Sequence, residues 1–151
     1  MKSRSIISYL LLSGLILITI GAYISLTPTA YLAQFDLEVV DSTNFYSDLR
    51  AMGGCLVVFG LLALWGVFHL PVRPFSLLTT SIIFSTYVVF RIVAFIMDGF
   101  PGSMILLATA IEIVFAATGW YLSVYKMGNI FSFEASGGAN PIIRDSGVTK
   151  L

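Results

Sequence analysis

Arg50, Arg91, Asp98 and Glu112 stand within or against long apolar runs, with Asp48 two residues before Arg50 and Tyr87 one helical turn before Arg91. A charge at the centre of a bilayer costs about 2.5–3.5 kcal/mol on the insertion scale, so such residues pair, line a wet cavity or serve a function. Several readings suit this set. An Arg91–Glu112 salt bridge orients helices and binds nothing. Alternatively, the same groups form a polar pocket in which arginines grip the anionic or carbonyl headgroup of a small hydrophobic or lipid-like ligand. Contact with a partner membrane protein also accounts for them. Glu112 acting as a proton carrier is opposed by an adjacent arginine, which favours the charged carboxylate.

Other chemistry is thin. One cysteine, Cys55, and one histidine, His69, exclude an internal disulfide and a Cys- or His-based metal cluster. Cys55 reads as an apolar core filler and His69 as an interfacial residue. The chain lacks G-x-S-x-G, P-loop, H-E-x-x-H and C-x-x-C motifs. No cofactor, no metal and no convincing catalytic set is expected.

The elements that must carry these residues follow from composition. Of 151 residues, 58% are hydrophobic and 11% charged, where a soluble domain carries about 25% charged residues. The mean hydropathy of +0.95 agrees. Net charge is zero and no basic block exists, which argues against a nucleic-acid partner. The class is an integral membrane protein in contact with the lipid bilayer. Four apolar runs, about 5–26, 51–70, 75–97 and 103–125, are each long enough to cross a hydrocarbon core as a helix. Lys2 and Arg4 give the first run the look of a signal peptide, but it exceeds the usual length of an h-region and reads as a retained helix. The expected fold is all-α: a four-helix transmembrane bundle occupying residues 1–127, followed by a flexible cytoplasmic tail over 128–151. In that tail Gly137-Gly138, Asn140-Pro141 and Ser146-Gly147 break any regular element.

Thr27-Pro28 reads as an N-cap followed by proline at the first helical position, so the first outer loop should carry a short interfacial helix including Tyr31. Asp41-Ser42-Thr43-Asn44 reads as the cap of the second long helix, well before its apolar run. Leu70-Pro71-Val72-Arg73-Pro74 and Asp98-Gly99-Phe100-Pro101-Gly102 are tight turns, which make the last three spans antiparallel neighbours. Six of the eight Lys and Arg residues lie on the side shared by both termini and the 70–74 turn, while Asp36, Glu38, Asp41, Asp48 and Asp98 lie on the other. By the positive-inside rule both termini are cytoplasmic.

Counting from the 98–102 turn, Arg91 is about 10 Å deep and Glu112 about 13 Å deep. The two approach that turn on antiparallel helices and are expected to pair. Glu112 shares its face with Ala108, Thr109, Phe115, Ala116 and Gly119, a small-residue face suited to helix contact in lipid. Arg50 shares its face with Gly53 and Gly54, which admit a close backbone or a ligand, and is expected in the same outer-half cluster near Asp48 or Asp98. The candidate site is thus Arg50, Arg91, Asp98, Glu112, Tyr87 and Asp48.

Three blocks carry a resemblance. Asp48-Leu49-Arg50-Ala51-Met52-Gly53-Gly54, Arg91 with Asp98-Gly99-Phe100-Pro101, and Glu112 in the last helix are similar to the pattern of a family of unknown function, small four-span bacterial membrane proteins grouped with the DoxX-like superfamily. Phe90 and Ala94 stand where that pattern has glycine and serine, which makes a pocket here less polar. The resemblance implies four helices and the bacterial inner membrane, and no established activity. The readings carried forward are a lipid-like ligand site, an accessory or assembly subunit of a larger membrane complex, and a proton-coupled carrier. A chain this small also accommodates a homo-oligomer. Loop charge makes the topology testable: a reporter fused after Leu151 that is active only in the cytoplasm should be active, and activity of an exclusively external reporter would reverse the orientation.

Overall fold

The computed structural model describes residues 2–35 and 42–124, with side chains from residue 4 onward; the predicted 128–151 tail lies outside them. Among the described residues five helices follow one another: α1 (Lys2–Leu26), α2 (Pro28–Ala33), α3 (Thr43–Phe68), α4 (Arg73–Met97) and α5 (Ser103–Leu122). Four of them, all but α2, are long and apolar enough to cross a membrane. The protein is all-α, and α2 is the short helix expected between the first two spans.

The helix ends have local causes. Pro28 opens α2 at a position that needs no N–H donor. The Thr27 hydroxyl does not cap it, however; it donates to the Tyr23 carbonyl at 3.0 Å and closes the end of α1 instead. Ser42 caps α3, its Oγ accepting from the Phe45 N–H at 3.4 Å. The far end of α3 is closed by Arg73, whose Nε and Nη2 donate to the Gly66 and Val67 carbonyls at 3.0 and 2.9 Å, where the helix dipole favours a cation. Gly99, at φ +94°, supplies the left-handed residue that ends α4.

α1 and α3 are the closest pair. Gly14 and Gly21 on α1 meet Gly60 and Gly53 on α3: a Cβ on Gly53 would stand 2.6 Å from the Gly21 carbonyl oxygen, and one on Gly60 would stand 2.8 Å from that of Gly14. Small residues at heptad spacing on both helices let the backbones touch, which is how helices associate where lipid competes for apolar side chains. Gly54 faces open space, so only Gly53 of the adjacent glycines admits a backbone. α3 then packs on α4, and α4 on α5. Ser76 bridges the first of these contacts, its hydroxyl donating to the Leu62 carbonyl at 2.8 Å. Trp120 Nε1 bridges the second, donating to Ser85 Oγ at 2.9 Å. Tyr9 ties α1 to α5 through a 3.1 Å bond from its hydroxyl to the Phe115 carbonyl. The core runs along the bundle in two clusters, one around Leu10, Ala63 and Leu77, the other around Leu17, Leu56, Phe84 and Ala116. Cys55 is exposed, not in that core. It falls off the Gly53–Leu56–Gly60 face that α3 turns toward α1.

Gly53→Ala should lower the thermal midpoint in detergent by an amount equivalent to about 1–3 kcal/mol of overpacking. Gly54→Ala should leave it unchanged or raise it by up to about 1 kcal/mol of helix propensity. Equal loss in both variants, followed by tryptophan fluorescence on heating, would contradict the α1–α3 contact.

Candidate functional site

Arg91 sits two turns before the end of α4, and Glu112 sits between the second and third turns of α5. Because α4 and α5 are joined by a tight turn, these positions come to similar depth, and their side chains meet. Arg91 Nε donates to Glu112 Oε2 at 2.7 Å, and Nη2 donates to Oε1 at 3.0 Å. This is the two-pronged geometry in which planar guanidinium and carboxylate match best. The side chains are 27% and 13% exposed, so the pair is half-buried, with its open side on the arginine. Only two of the five guanidinium N–H donors are used by Glu112.

Two phenols stand near the pair. Tyr87, one turn before Arg91, packs on the Leu17–Phe84–Ala116 cluster, as does Tyr31 of α2. Tyr31 feels the charges of both Arg91 and Glu112. Burial pushes the Tyr31 phenol above its ordinary value; Arg91 pulls against that shift and Glu112 adds to it. The phenol is therefore a neutral hydrogen-bonding group at physiological pH. Tyr31 was absent from the sequence-derived site: Pro28 announces a short helix, but not where the chain lays that helix across the bundle.

The remaining predicted residues are placed differently. Asp98 closes α4 and is exposed, seven residues beyond Arg91 and on its face. With Arg91 it lines a cleft of about 270 Å³, whose walls include Phe95, Phe100, Pro101 and Ile105. Asp48 is exposed on the first two turns of α3. Arg50 does not join the cluster. It lies at the α1–α3 contact, where its Nη1 donates to the Ser25 carbonyl at the end of α1, while Ser25 Oγ donates back to the Arg50 carbonyl at 2.9 Å. The carbonyls at the end of α1 satisfy this guanidinium, which removes the reason to seek a carboxylate. The expected buried cluster of several charges is thus replaced, among the described residues, by one ion pair. No grouping of His, Cys, Asp or Glu suited to a metal ion occurs among the described residues.

The sequence model of one family, described as a domain of unknown function, DUF4345, matches residues 8–123. No curated protein and no solved structure matches the chain.

Removing one partner of the pair strands the other charge. Glu112→Gln should lower stability toward the lower end of the about 3–5 kcal/mol typical of buried pairs, because Arg91 keeps some exposure. The double change Arg91→Met with Glu112→Leu should recover much of that loss. Denaturation curves in micelles read both, and a double variant no more stable than the single one would show that the pair contributes more than mutual neutralisation.

Proposed function

Because the chain belongs to the DUF4345 family, a description that assigns no activity, we propose its role from the site: a non-enzymatic, multi-pass membrane protein that holds a lipid-like amphiphile against the Arg91–Glu112 pair. One observation carries this reading. Arg91, fixed by Glu112 and with donors to spare, opens onto a cleft whose other walls are largely apolar. A headgroup would bond to the outward edge of the guanidinium, and an acyl chain would lie along Phe95 and Ile105. Tyr31 and Tyr87, packed on the neighbouring core cluster, supply hydroxyls near the pair. Arg50 and Asp48 stand outside this site.

The loop charges support cytoplasmic termini, with the Asp98 end of the bundle facing outward. The resemblance to DoxX-like proteins supports a bacterial inner-membrane location, with residues 1–127 as the membrane domain and 128–151 as its tail. The proton-carrier reading is weakened by the fork itself, since both oxygens of Glu112 are held by one guanidinium.

The test is native mass spectrometry after extraction in mild detergent. One amphiphile should stay with each chain, and Phe95→Ala with Ile105→Ala should release it while the thermal midpoint falls only slightly. Retention of a stoichiometric protein and no lipid would instead favour an accessory subunit, and a chain that emerges bare would overturn the reading.

A further inference from the structure

The occupant's headgroup can be read from the charges and rings that face it. Arg91 enters the cleft already neutralised by the Glu112 fork. Asp98 enters it as a carboxylate that makes no ion pair among the described residues. The cleft therefore presents a net negative wall, not the positive one its arginine suggests. Phe95 and Phe100 stand beside Asp98, their rings stacked with centroids 6.2 Å apart and 24° between planes. Aromatic faces next to a carboxylate attract an organic cation through the ring quadrupole and the opposite charge together. A metal ion is a poor match, because a single carboxylate flanked by hydrocarbon lacks the oxygen ligands that a hard cation requires.

The surroundings point the same way. Among the described residues, the end of the bundle that carries Asp98 holds Asp48, Asp98 and Glu112 against Arg50 and Arg91. An anionic headgroup would approach this end against the field; one bearing an ammonium would approach along it. Asp98 lies two turns beyond Arg91 on the same face of α4, about 10 Å along the helix axis, so an ammonium held at Asp98 meets the carboxylate and the rings and not the neutralised guanidinium.

We propose that the α4–α5 cleft recognises a lipid whose headgroup ends in an ammonium, held between the Asp98 carboxylate and the Phe95–Phe100 rings. This rests on the reading that the cleft holds an amphiphile, and the experiment separates the two. Full-length protein in detergent is offered an equal mixture of phosphatidylethanolamine, phosphatidylcholine and phosphatidylglycerol with matched acyl chains, and bound species are counted by native mass spectrometry. The two ammonium lipids should be retained over the glycerol lipid by a factor on the order of ten. Preference for the ethanolamine form would assign the dominant contact to hydrogen bonds with Asp98, and preference for the choline form to the rings; either supports the proposal. Asp98→Asn should erase the preference while leaving the thermal midpoint near wild type, since the Asp98 side chain is exposed and makes no ion pair among the described residues. Equal retention of all three lipids, a preference for phosphatidylglycerol, or an unchanged preference in Asp98→Asn would overturn the ammonium site and leave the amphiphile reading standing. Retention of no lipid would overturn both.

Discussion

A guanidinium and a carboxylate placed inside apolar helices must find each other, because hydrocarbon offers neither water nor counterions. That requirement organises α4 and α5. The Arg91–Glu112 fork fixes their relative height, since the two positions match only when the helices are joined by a turn as tight as residues 98–102. It also fixes rotation, because Nε and Nη2 must both reach one carboxylate. Rotation in turn carries Asp98 and Phe95 to the same side as Arg91, and that side becomes the cleft. The candidate site is therefore a consequence of satisfying a charge pair in a medium that tolerates no stranded charge.

The other half of the bundle is held by a different device. α1 and α3 carry no charge between their glycines, and they associate through backbone contact at Gly14, Gly21, Gly53 and Gly60. In lipid this closeness replaces the hydrophobic driving force that soluble bundles use. Along α4, polar residues avoid cost by local means: Thr80, Ser81 and Ser85 each donate to the carbonyl four residues back. Ser76 and Ser85 reach across to α3 and α5 as well. A glycine-packed pair thus supports a second pair in which these hydroxyls are satisfied by carbonyls and by Trp120, while Arg91 keeps an edge toward the cleft.

Much of this was legible in the residues. Run lengths gave the four long helices, Ser42 gave the start of α3, Pro28 gave α2, and helical rise from a shared turn brought Arg91 to Glu112. The failures have physical reasons. Arg50 was expected among carboxylates because its i+3 and i+4 glycines suggested an open site; helix-end carbonyls are invisible in a sequence, and Ser25 supplied one. Cys55 was expected inside because it is small and apolar, but the packed face of α3 is formed by Gly53, Leu56, Gly60, Ala63 and Gly66. The Gly14–Gly21 spacing, equal to Gly53–Gly60, was the available signal for the α1–α3 contact. Tyr31 and Phe100 reach the site from a short helix and a turn, whose paths are set by tertiary packing and not by local pattern.

The central claim is that Arg91 and Glu112 form a direct two-pronged pair within the bilayer. Magic-angle-spinning NMR on protein in lipid bilayers, with the Arg91 guanidinium nitrogens labelled with nitrogen-15 and the Glu112 carboxyl carbon with carbon-13, measures this directly. The account predicts strong dipolar dephasing from two nitrogens to one carboxyl carbon, as contacts of 2.7 and 3.0 Å require. Dephasing absent from both nitrogens, with the Arg91 guanidinium exchanging protons freely with water, would contradict it.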